Sequence, residues 1–134
     1  MNARRITLEW VGKAEEDAAV AERENRVRKR FSPGTVCYHA QQCIEKYLKA
    51  VLQKQAQPIP KTHDLYVLLD LCGVDRFGAT LDRDGLVSLT RYATRFRYPG
   101  ESATKDDAKL AVLLMRRYRK ALRDHLDIKD DTCG

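Results

Sequence analysis

Apolar residues recur at helical spacing along most of the chain, and no alternating run is long enough to predict a strand. The first helix is predicted to begin after Thr7, read as its N-cap, and to run to about Arg28. Trp10, Val11, Ala14, Ala18 and Ala21 share one of its faces. Three of these five are alanines, so a neighbouring helix must approach closely. Ser32-Pro33-Gly34 interrupts the pattern and also supplies an N-cap and first-turn proline for a second helix, which continues to about Gln55. Val36, Ala40, Ile44, Tyr47, Leu48 and Val51 form its apolar side. Pro58 and Pro60 force an extended connection. Thr62 then caps a short third helix carrying Leu65, Leu68 and Leu69, which stops at Gly73. Residues 74–85 read as a loop. A fourth helix carries Leu86, Leu89, Tyr92, Ala93 and Phe96 and must end before Pro99. The last starts near Thr104, with Asp106 and Asp107 favourable in its first turn. Its seam is Ala108, Ala111, Val112, Met115, Tyr118, Leu122 and Leu126. Long helices of similar length, each with one apolar face, predict an all-α fold: an antiparallel up-and-down four-helix bundle with an additional short helix, in a single domain over residues 1–134.

Charge and composition narrow the function. The 25 Lys and Arg against 19 Asp and Glu leave a net charge of +6, which favours an anionic partner: a nucleotide, a nucleic acid or an acidic protein face. No apolar run approaches the roughly 20 residues of a membrane span, and no export signal is visible, so a cytoplasmic protein without membrane contact is expected. Cysteines stand at 37, 43, 72 and 133 without a C-x-x-C pair. The first three lie among apolar neighbours and read as small buried side chains; Cys133 belongs to a frayed end. With no Gly-rich phosphate loop, HExxH or Cys/His quartet, no cofactor and no metal site are expected.

The polar residues offer two candidate surfaces. On the second helix His39, Gln42, Lys46, Lys49 and Gln53 fall in one stripe opposite the apolar side. This is first of all a solvated face, and alternatively a wall in which His39 and Gln42 give directional hydrogen bonds and Lys46 gives charge for a phosphate. The run from Arg91 to Gly100 interleaves Arg91, Arg95 and Arg97 with Tyr92, Phe96 and Tyr98. It suits stacking on a base and pairing with phosphate, or else Tyr92 and Phe96 belong to the core while the arginines are exposed. Arg26, Arg28, Lys29 and Arg30 at the first break, and Arg116, Arg117, Arg119, Lys120 and Arg123 on the last helix, read as solvated faces that together could attract phosphate. His63 is expected to cap or pack the third helix, and His125 to be exposed.

The segment from Cys37 to Ala50, together with Pro60-Lys61-Thr62-His63-Asp64-Leu65 and Arg97-Tyr98-Pro99, resembles HEPN domains (higher eukaryotes and prokaryotes nucleotide-binding) in order and spacing. The resemblance implies an all-α bundle that usually forms a homodimer and often acts with a small nucleotidyltransferase in toxin–antitoxin-like pairs. Ribonuclease members carry an arginine followed by a histidine after four to six residues at the entrance to the last helix. Here Ser102, Ala103 and Thr104 stand where that histidine would follow Arg97, and Gly100, Glu101 and Ser102 where it would follow Arg95. Arg119 and His125 satisfy the spacing in text only, about 240° apart around a helix. The expectation is therefore a non-catalytic, dimeric module with no catalytic residue, binding a nucleotide, RNA or another phosphate-bearing ligand at a cleft formed by His39, Gln42, Lys46, Arg95, Arg97 and Tyr98. The alternatives are a ribonuclease toxin with a displaced site using His39 or His63 with Arg97, and a purely structural docking module.

Overall fold

The computed structural model describes residues 3–73, 76–77 and 80–129, with the side chains of Ala3 and Arg97 outside that description, as is Cys133. Helices α1 (Ala3–Asn25), α2 (Pro33–Lys54), α3 (Leu65–Cys72), α4 (Arg83–Thr94) and α5 (Lys105–His125) make an all-helical fold, with a 3-10 turn at Arg95–Arg97. The four longer helices form the bundle and α3 is the additional short one. α2 is its axis: it packs against α1, α3, α4 and α5, whereas α1 meets α5 only along a narrow seam.

The apolar faces read from the sequence are the ones buried. Val11, Ala14, Ala18 and Ala21 of α1, six residues from Val36 to Val51 of α2, and the seam of α5 all enter one core, with Trp10 and Phe96 packed at its edge. Tyr47, Tyr118, Ile44, Leu48 and Met115 are among its largest fully buried side chains.

Three helix starts differ from expectation. α1 begins at Ala3 instead of after Thr7, because Arg4, Arg5 and Ile6 sustain a helix and Thr7 is buried within it at 5% exposure. It ends at Asn25, which leaves Arg26–Arg28 in the connection. α3 is capped in backbone terms by Asp64, while the Thr62 hydroxyl accepts from the Asp64 amide (3.2 Å) and the Leu65 amide finds Thr90 Oγ1 on α4 (3.1 Å). α4 starts at Arg83, inside the segment read as loop, because Asp82 accepts from the Gly85 amide (2.9 Å). Two expected caps are present as drawn from the sequence. Ser32 Oγ accepts from the Thr35 amide at the start of α2, and Thr104 and Asp107 form a reciprocal capping box on α5.

Gly85 lies inside α4 for a packing reason. A methyl group there would stand 1.7 Å from the Tyr118 hydroxyl, which donates to Asp82 Oδ1 (2.8 Å) and so ties the start of α4 to α5. Burial pushes the Asp82 carboxyl up, but the bonds from Tyr118 and the Gly85 amide outweigh it and hold the group below the usual range. Gly85→Ala is expected to lower unfolding stability by about 1–3 kcal/mol, since the hydroxyl must move. In a Tyr118→Phe background the same substitution should cost less, as read from denaturant midpoints; an equal cost in both backgrounds argues against this contact.

Candidate functional site

Because α1 lies over the polar stripe of α2, that stripe is not a solvated face. Lys49 is 9% exposed, and His39, Gln42 and Lys46 are partly buried. Each finds a partner. Asp17 of α1 receives His39 Nδ1 on one carboxylate oxygen (2.7 Å) and Lys46 Nζ on the other (2.5 Å). An ionised carboxylate only accepts, so the bond to Asp17 calls for a proton on His39 Nδ1 and leaves Nε2 outside that contact. One turn along, Glu45 (4% exposed) takes Lys49 Nζ (3.0 Å), His63 Nδ1 (2.8 Å) and Gln41 Nε2 (3.3 Å). Gln41 also donates to the His63 carbonyl (2.9 Å) and accepts from Gln42 Nε2 (2.8 Å). His63 thus fastens the loop before α3 to α2, a role for a histidine expected to cap that helix. Gln41, Glu45 and Lys49 are spaced i, i+4, i+8, and Asp17 lies one helix away; the stripe singled out from the sequence missed Gln41, Glu45 and Asp17.

The basic face of α5 is also engaged. Arg119 makes two hydrogen bonds to Glu15 (2.7 and 2.6 Å) and Arg116 two to Glu22 (2.8 and 2.6 Å), across the α1–α5 seam. Arg123, 7% exposed, donates to the Tyr47 hydroxyl (2.9 Å) and the Lys129 carbonyl (2.9 Å), while Tyr47 in turn donates to Glu15. His125 packs against Phe77, with ring centroids 4.8 Å apart, instead of standing exposed. Arg119 and His125 therefore have different surroundings. Burial pushes the thiols of Cys37 and Cys72 up to about 12, and that of Cys43 also well above the ordinary value, which disfavours the thiolate.

The remaining candidates lie at the end of the bundle where α2 begins and α4 ends. Tyr38, His39, Tyr92 and Phe96, with the hydroxyl residues Ser32 and Thr35, line an open depression of about 440 Å³. Tyr92 and Phe96 stack with centroids 5.4 Å apart, and Tyr38 meets the His39 ring edge-on. Arg95, half exposed, donates to Glu101 (2.9 Å), and Tyr98 is 67% exposed. Of the five cleft residues whose side chains are described, His39 alone lines this depression. Lys46 joins it through Asp17, Gln42 belongs to the neighbouring Glu45 network, and Arg95 and Tyr98 lie beside Phe96 in the chain. Arg97 has its side chain outside the described residues. No group of three His, Cys, Asp or Glu side chains suited to a metal ion occurs among the described residues, and none of the helices described is long and apolar enough to cross a membrane.

Burial raises the Glu15 carboxyl, but the hydrogen bonds from Arg119 and Tyr47 prevail and hold it below its ordinary value; Arg116 does the same for Glu22. A carboxyl depressed in the folded state adds stability that is complete above the unfolded value near 4.5 and lost as pH falls through the lower folded one. Melting temperature should therefore decline below about pH 4.5, with a shallower decline in Glu15→Gln. An acid limb of the same depth in that variant would remove Glu15 from the account.

The model of one protein family, described as the HEPN domain, matches residues 7–125. No curated protein and no solved structure gives a match. The matched span runs from Thr7 in α1 to the last residue of α5 and so takes in every helix just described. On that coverage the chain belongs to the HEPN domain family.

Proposed function

We propose that this HEPN domain is a non-catalytic binding module that takes a nucleotide or a similar phosphate-bearing ligand at the end of the bundle formed by α2 and the α4 turn. The observation that carries the reading is the depression lined by Tyr38, His39, Tyr92 and Phe96, since aromatic side chains are what a planar base stacks on. His39 enters it pre-oriented, since Asp17, itself held by Lys46, fixes the ring by one nitrogen and leaves the other outside that contact. Arg95, Arg97 and Tyr98 follow Phe96 or flank it in sequence and supply charge and a hydroxyl for the phosphate end. Gln42 and Lys46 serve as supports behind His39.

The engagement of the imidazoles favours binding over RNA cleavage. His39 is held by Asp17, His63 by Glu45, and His125 lies against Phe77, while no histidine follows Arg95 or Arg97 at four to six residues. Cleavage needs an imidazole at the attacking or leaving oxygen with an arginine on the phosphate. A homodimer and a small nucleotidyltransferase partner, in a toxin–antitoxin-like pair, belong to the same proposal on the strength of the family.

Calorimetric titration of ATP, GTP and a short RNA into the purified protein tests the site. The wild type is expected to bind at least one of them. Phe96→Ala and Arg97→Ala should each weaken that binding by roughly tenfold, the size of a lost base–aromatic stack or phosphate contact. No binding to the wild type, or equal affinity in all three proteins, overturns the assignment.

A further inference from the structure

We propose a second anion site, separate from the aromatic depression, at the turn between α1 and α2: a basic hollow that takes two or more adjoining phosphate groups. The hollow, about 560 Å³, is bounded by Arg26 and Arg28 from the turn, Lys105 and Lys109 from the first turns of α5, and Phe31 as its apolar floor. These cations differ from the paired ones. Those of the α1–α5 seam and the α2 stripe have carboxylates in hydrogen-bond contact, whereas none of these four has an ion-pair partner among the described residues. Arg26 attracts Glu22 at longer range, without a hydrogen-bond contact.

The turn that presents Arg26 and Arg28 is itself fixed. The amides of Arg26 and Val27 bond back to the carbonyls of Arg23 and Glu24 (3.1 Å each), the Ser32 amide donates to Glu24 Oε2 (3.0 Å), and Arg30 takes a left-handed backbone with φ 56. Phe31 packs against the core. Of the nearby carboxylates, Glu24 is turned to the Ser32 amide and Asp107 to the Thr104 amide (2.8 Å), while Glu22 is held by Arg116. The start of α5 is closed by its own capping box, so attraction comes from the four side chains and not from free helix amides. Four cations contributed by two elements, around a hollow of that volume, exceed what a single phosphate can neutralise. A run of phosphates matches them, whether from a nucleoside polyphosphate or from an RNA backbone.

Inorganic tripolyphosphate, which has no ring, reads this site separately from the aromatic depression, so failure here and failure of nucleotide binding at Phe96 are distinct results. By calorimetry at low salt, wild type should bind tripolyphosphate more tightly than orthophosphate. R28E/K105E should weaken it at least about tenfold, whereas K61E/K120E, with the same change in net charge, should stay close to wild type. Arg26→Ala with Lys109→Ala serves as a milder pair, expected to weaken binding in the same direction if the reversed pair fails to fold. Displacement of tripolyphosphate by ATP marks a nucleoside polyphosphate as the source, and displacement by a six-nucleotide RNA marks a phosphodiester backbone. Absence of tripolyphosphate binding, equal losses in the two reversed pairs, displacement by neither competitor, or equal affinity for a short poly-aspartate each overturns the proposal.

Discussion

A helix covered on every side has to satisfy its own polar groups, and α2 is such a helix. It packs against α1, α3, α4 and α5, and its polar stripe is met by Asp17 of α1 and by His63 in the loop before α3. Burying a charge without a counter-charge costs several kcal/mol, so the stripe is tolerable only with partners in place. Asp17 supplies one for His39 and Lys46, and Glu45 supplies another for Lys49 and His63. No buried side-chain nitrogen or oxygen among the described residues lacks a hydrogen bond. These pairs also fix orientation: α1 is keyed to α2 by Asp17, and the loop carrying His63 is keyed to it by Glu45. The position of His39 at the edge of the aromatic depression follows from that keying.

The same accounting divides the basic residues of the chain. On α5, Arg116 and Arg119 close bidentate pairs with acids of α1, and Arg123 is buried against Tyr47. α1 meets α5 only along a narrow seam, and these arginines span it. Charge committed in this way holds helices together and has little left for a ligand. Both proposed ligand sites lie at one end of the bundle, where α1 ends, α2 and α5 begin, and α4 gives way to its 3-10 turn. Phe31 and Ser32 are consecutive residues, one lining the basic hollow and the other the aromatic depression.

Helical periodicity made the fold legible because it reports which side of a helix is apolar, and each long helix buries that side. Local chemistry was equally readable where a cap acts within its own turn, as at Ser32-Pro33 and Thr104–Asp107. It misled where a distant residue decides. Thr7 has the character of a cap but lies in a helix whose earlier residues also favour one, and Gly85 resembles a loop glycine although its missing side chain makes room for Tyr118, 33 positions on. The stripe on α2 looked solvated because the pattern of a single helix does not say how many neighbours cover it. The i, i+4, i+8 spacing of Gln41, Glu45 and Lys49 carried a hint, since a buried network needs its donors and acceptors stacked along one face. The convergence of Arg26 and Arg28 with Lys105 and Lys109 joins residues about 80 apart in the chain and is a product of the bundle alone.

Urea unfolding of Glu45→Ala tests the central claim most directly, because Glu45 is nearly inaccessible and holds four side chains from two segments. Removing it leaves the Lys49 ammonium buried without its counter-charge, and a loss of about 3–5 kcal/mol is expected. A change under about 0.5 kcal/mol, the size typical of an exposed surface residue, would contradict the account.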